Sequence, residues 1–154
     1  MMKRSIFTVL LALVLLLSGC FAAAETAAPA ETAAPEDEHP FLYEIAEDDP
    51  AIAYVLVTLS YSAGLLPLPP EGEYTKTIRQ EMPDGSQAYN TVRVTPEGFR
   101  MEEANCENHD CIEEGEVTLA NREERILGGM VICLPHRLML ELVTREEAEK
   151  LLGM

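Results

Sequence analysis

Between residues 53 and 143 apolar and polar side chains alternate in short runs, each closed by Pro, Gly, Asp or Asn. AYVLVTLS at 53–60 is β-branched and aromatic at strand length. LLPLPPEGEY is broken by Pro67, Pro69, Pro70 and Gly72, which suits an edge or a loop. TKTIRQEM and AYNTVRVT flank Pro83-Asp84-Gly85-Ser86, where Pro presets φ and Gly supplies φ > 0, so they predict a hairpin. In that second strand Tyr89, Thr91, Arg93 and Thr95 alternate with Asn90, Val92 and Val94, which leaves one face wet. Pro96-Glu97-Gly98 turns the chain into FRMEEA, with Phe99 and Met101 on one face. EVTLA and RILGGMVICL around NREE predict a third hairpin, and RLMLELV at 137–143 one more strand. TREEAEKLLG differs: Thr144 with Glu147 forms a capping-box pattern and Gly153 a stop, so a short helix ends the chain.

Six or seven short strands with tight turns predict an all-β fold, a small antiparallel β-sandwich or barrel with a short C-terminal helix. The segments between strands are too short for the helical crossovers that a parallel sheet needs.

The N-terminal forty residues have another character. Lys3 and Arg4 precede the apolar run IFTVLLALVLLL, and Leu17-Ser18-Gly19-Cys20 follows, the order of a secretory signal over residues 1–19. The run is about a dozen residues, short of the ~20 that a spanning helix needs. LSGC resembles the lipobox of bacterial lipoproteins, which implies lipidation of Cys20 and membrane lipid as a partner of the mature protein. Residues 20–40 are Ala, Glu, Pro and Thr with ETAAP twice, too poor in apolar area to offset ordering entropy. They predict a disordered stalk that carries a single domain, 41–154, on the extracytoplasmic face of the cell membrane.

Composition narrows the partners. Residues 1–19 hold two of the 11 Lys+Arg and none of the 27 Asp+Glu, so a chain beginning at Cys20 has a formal charge of −18. Such a surface repels phosphate backbones, which excludes nucleic acid as a partner. No Gly-x-Ser-x-Gly elbow, His-Glu-x-x-His helix or glycine-rich phosphate loop occurs, and the acidic pairs Glu102-Glu103 and Glu113-Glu114 suit solvated faces. No enzyme activity and no cofactor are expected.

CENHDCIEEGEVTLANREERILGGMVICLPHRLMLELV, with Cys106, Cys111, Gly115 and Cys133-Leu134-Pro135, resembles the NusG domain II family in its secreted members. With the strands before it the resemblance spans about residues 73–143. It implies a compact β-barrel or sandwich and no activity. It also implies surroundings in extracellular electron transfer for some members.

With Cys20 lipidated, three cysteines remain, enough for one disulfide and one free thiol. Cys106–Cys111 closes about six residues and Cys111–Cys133 about twenty-three, worth roughly 2 and 3.5 kcal/mol, too close to decide. Cys106–Cys111 is favoured because a polar loop bends to meet itself; Cys133 is the alternative partner. Cys106, His109, Cys111, Cys133 and His136 are also candidate metal ligands, with Cys-x2-His occurring twice. Two functions remain open. One is a non-catalytic binding or accessory module with a cell-surface protein partner. The other is a redox or metal-binding accessory of extracellular electron transfer that uses the cysteine cluster.

Overall fold

The computed structural model describes residues 41–153. The expected signal, stalk and lipidated Cys20 lie outside the described residues. No helix among those described is long and apolar enough to cross a membrane.

Among the described residues, eight strands and two helices follow in the order β1 (Ala53–Thr58), β2 (Ala63–Pro67), β3 (Tyr74–Glu81), β4 (Gln87–Val94), β5 (Gly98–Ala104), α1 (Asp110–Glu113), β6 (Val117–Thr118), β7 (Met130–Cys133), β8 (Leu138–Thr144) and α2 (Arg145–Leu152). They form two four-stranded antiparallel sheets, β2-β1-β8-β7 and β3-β4-β5-β6. The expected all-β sandwich with a C-terminal helix is the fold observed.

The PDGS hairpin forms as expected, with β3 and β4 paired from Tyr74↔Val94 to Glu81↔Gln87. Asp84 fastens the turn by accepting from the Ser86 backbone N–H and hydroxyl. On β4, Ala88, Asn90, Val92 and Val94 point inward and their neighbours are half-exposed, the one-wet-face pattern read from the sequence. A bulge between Thr91 and Val92 inserts Glu102 on β5, so Glu102 and Glu103 both face solvent while Phe99 and Met101 stay buried.

The first sheet is buried on its inner face and partly covered on its outer face, which explains the near-continuous apolar run of β1. Its inner face packs Val55, Val57, Leu140 and Leu142 against Val92, Phe99 and Met101 of the second sheet. On its outer face Ile45, Ala51, Tyr54, Val143 and Ala148 form a second cluster under α2. Arg145 donates to the carbonyl oxygens of Ala46 and Asp49 and to Glu149, tying residues 46–49 to α2.

The third expected hairpin is not present. β6 pairs with β5 in one sheet and β7 with β8 in the other, so NREE lies in a crossover between sheets. Asn121 starts this turn by accepting from Thr118 N, and Arg122 holds it to the first sheet through the Leu142 carbonyl and Glu147. Tertiary anchoring, not strand pairing, organises the segment.

The capping box at α2 is complete: Thr144 Oγ1 accepts from Glu147 N, and Glu147 Oε2 accepts from Thr144 N at 2.7 Å. Two hydrogen bonds from Arg122, then the bond from Thr144 N, lower the Glu147 pKa from 4.5 to about 2. On acidification the unfolded chain therefore takes up this proton first. The stabilisation is fully present above the ordinary carboxylate value and is lost as pH falls from 4.5 towards 2. Because Glu147 is partly exposed, Glu147→Gln is expected to cost only about 1 kcal/mol at pH 7. Urea midpoints of the two proteins should converge as pH is lowered towards 2; a gap that persists there would refute the assignment.

Candidate thiol site

Three segments bring the cysteines to one end of the sandwich. Cys106 lies just past β5, on a strand end pinned by Asn105, which accepts from Tyr89 N at 2.8 Å and donates to the Gln87 carbonyl. The chain then reverses at His109, whose backbone is left-handed at φ 57°, and begins the single turn of α1. That turn carries Cys111, and Gly115 at φ 75° ends it. Cys133 is the last inward residue of β7, before a turn in which Arg137 N donates to the Leu134 carbonyl. The second sheet thus supplies the support for Cys106, and the first sheet supplies Cys133.

The three sulfurs lie within 4.8 Å of one another. Cys106 and Cys111 Sγ are 3.7 Å apart, and all three thiols are free at that spacing, since a disulfide is about 2.05 Å long. Their residues are 3%, 2% and 1% exposed in chain order. Burial pushes the Cys111 thiol well above its ordinary pKa, and the neighbouring Cys133 adds to the shift. Burial also raises Cys133, against hydrogen bonds from the Asn90 amide and the His136 backbone N–H.

The two histidines stand outside this sulfur group, so the five expected metal-ligand candidates are not brought together. His109 is exposed at the start of α1. His136 is buried and its Nδ1 bonds Asn90 Oδ1 at 2.8 Å, while its carbonyl accepts from Gln80 Nε2. An amide oxygen only accepts, so Nδ1 carries the proton. Burial lowers the His136 pKa and keeps the ring neutral. His136 therefore joins the β7–β8 turn to β4 and β3.

Asn90 belongs to this site although no sequence motif marks it. Its signal is a polar side chain in the inward row of β4 beside Val92 and Val94. Fully buried, it bonds His136 through its oxygen and reaches Met101 Sδ through its nitrogen at 3.5 Å. Glu114 is a second. Its carboxylate accepts from Ile132 N at 3.2 Å, and burial raises its pKa against the charge of Arg125. Arg125 in turn donates to the Glu114 and Glu116 carbonyl oxygens, fastening the β6–β7 crossover to the segment between α1 and β6.

Two clefts approach the sulfurs. One of about 230 Å³ is lined by Cys111, Cys133, Glu114, Ile132, Leu134 and Pro135. The other, about 550 Å³, reaches Cys106 and His136 from beyond Pro135. Between buried Cys133 and buried His136, Leu134 stands 78% exposed.

Fold and site together define a small antiparallel β-sandwich closed at one end by a buried group of three thiols. The chain belongs to the NusG domain II family, whose sequence model matches residues 6–146. That family is a domain family, and the match assigns no reaction. Among solved structures, the chain is similar to a DUF1312 family protein from Enterococcus faecalis V583, at 21% identity and TM-score 0.46 over 60% of this chain and 98% of that one. It is also similar to the Lin0431 protein from Listeria innocua. The solution structure of Lin0431 gives 20% identity and TM-score 0.48 over 66% of this chain and 82% of that one. The crystal structure gives 18% and 0.45 over 60% and 97%. None of the curated proteins matches the chain.

Proposed function

We propose that this protein is a non-catalytic accessory module, lipid-anchored through Cys20 on the extracytoplasmic face of the bacterial membrane, that binds a cell-surface protein partner. A Cys106–Cys111 disulfide staples the end of its sandwich. The leader MKRS–LSGC and the acidic stalk support the location. A tether raises the concentration of the domain near membrane partners without catalysis.

The observation that carries the reading is the burial of all three thiols, at 3% exposure or less, with the pKa of Cys111 and Cys133 raised. A nucleophile needs the opposite, an accessible sulfur with a depressed pKa. Sulfurs 3.7 Å apart in a loop of about six residues need only side-chain rotation to bond, for roughly 2 kcal/mol. Cys133 then remains a buried thiol.

That same residue favours a second reading. With Cys133 Sγ within 4.8 Å of both partners, exchange passes a disulfide among the three sulfurs without net oxidation. A redox accessory of extracellular electron transfer would have its disulfide reduced to two thiols by two electrons and two protons from an external dithiol or electron-carrier donor.

One measurement tests the proposal: intact mass of the full chain extracted from membranes of a lipoprotein-processing host without reductant. The expected product begins at Cys20 with a diacylglyceryl adduct, is two daltons light, and has one thiol alkylated after denaturation. A secreted chain without the adduct would sink the anchor, and three alkylatable thiols would sink the staple.

A further inference from the structure

We infer that the reduced triad of Cys106, Cys111 and Cys133 is a binding site for one soft metal ion with a filled d shell, cuprous copper held by three sulfurs. This goes beyond the accessory-module reading and does not rest on it, since it concerns the thiols before any disulfide forms.

The spacing is the first argument. A trigonal set with metal–sulfur bonds of about 2.3 Å has sulfur–sulfur edges of about 4.0 Å. The observed sulfurs are 3.7 Å apart at one edge and within 4.8 Å at all edges. Closing on an ion therefore takes small side-chain rotations, with no movement of the sheets.

The second argument is donor chemistry. Among the described residues the group of mutually close donor atoms contains sulfur alone. Calcium and magnesium need oxygen shells, which this site does not offer. Thiolates select cuprous copper or zinc. Zinc held by three protein ligands takes a water as its fourth, which cysteines 3% exposed or less disfavour, whereas cuprous copper is satisfied by three sulfurs.

The third argument is the surrounding structure. The ligands come from three segments: the end of β5, α1 and the end of β7, so an ion would tie the two sheets together at this end. The 230 Å³ cleft that Cys111 and Cys133 line is also lined by Asp110 and Glu114, whose charge favours cations there. Binding changes no oxidation state. Copper enters as Cu(I), and each thiol gives its proton to solvent as its S–Cu bond forms.

The test uses the full chain with Cys20→Ala, which leaves only the three thiols of the triad, kept anaerobic with a phosphine reductant in detergent. Cuprous copper is supplied as its complex with a chromophoric bicinchoninate chelator. The expected result is withdrawal of one equivalent, with copper-edge X-ray absorption showing three sulfurs at about 2.3 Å. Each of Cys106→Ser, Cys111→Ser and Cys133→Ser should weaken binding at least 100-fold, more than loss of an outer contact does. His109→Ala should leave it unchanged. No copper withdrawn, more than one equivalent, or nitrogen and oxygen in the absorption shell would overturn the site. The absorption result is read on unvaried cysteines, so it holds even where a Ser variant fails to fold. Zinc bound by the same cysteines in preference to copper would overturn the choice of ion.

Discussion

Gly98→Ala is expected to cost the domain about 3 kcal/mol or more, the range reserved for substitutions with a specific steric cause. Gly98 opens β5 directly opposite Thr118 of β6. A Cβ built there would overlap the Val117 carbonyl oxygen and lie 2.8 Å from Thr118 Cα. Both are backbone atoms, so no side-chain rotation relieves the clash. The strand must separate, and with it go the bonds Thr95 N to Gly98 O and Leu119 N to Glu97 O. Because β6 follows α1 directly, the displacement would also loosen the support of Cys111. Since the chain has no tryptophan, urea unfolding is followed by far-ultraviolet circular dichroism. A loss below 1 kcal/mol would mean that β6 is not held against β5 as described.

Phe99→Ala is expected to cost about 3–5 kcal/mol by a different mechanism. Phe99 is fully buried in the main cluster with Val57, Val92, Met101 and Leu140. Truncation removes apolar contact from both sheets at once and leaves a cavity that their paired backbones cannot close. In a domain of this size the loss lowers Tm by roughly 10–20 °C. Small domains are stable by only about 5–15 kcal/mol, so either substitution removes a large share. The two separate experimentally. A bulky apolar residue at 99 such as Leu restores much of the stability, whereas no residue with a Cβ does so at 98. Equal losses for Phe99→Leu and Phe99→Ala would count against the packing argument.

Much of the architecture was legible because it rests on local chemistry. The PDGS turn, the one-faced pattern of Ala88 to Val94 and the Thr144–Glu147 box are each written in consecutive residues. The hairpin expected around NREE failed because EVTLA and GGMVICL both look like strands, and nothing local states which sheet each joins. Thr118 of β6 pairs twenty residues back with Gly98, whereas β7 pairs with the next strand, Cys133 to Met130 against Leu138 to Glu141.

The site divides in the same way. Spacing nominated Cys106, His109, Cys111, Cys133 and His136 alike, since residue type and separation treat them equally. A left-handed turn at His109 sent that imidazole outward and Cys111 inward. A hydrogen bond to Asn90, 46 residues away, took His136 into the structure of the turn.

By itself the amino-acid sequence determined the strand-rich character of this protein, the position of its tight turns, its family and the short list of residues able to do chemistry. Periodicity and turn propensity act over a few residues, so they survive as readable patterns. Only the tertiary structure decided which sheet each strand entered, and that three sulfurs converge while two imidazoles do not. The sheet that β6 joins and the meeting of Cys133 with Cys106 and Cys111 depend on contacts between segments separated by twenty residues or more, where packing and burial outweigh any local preference.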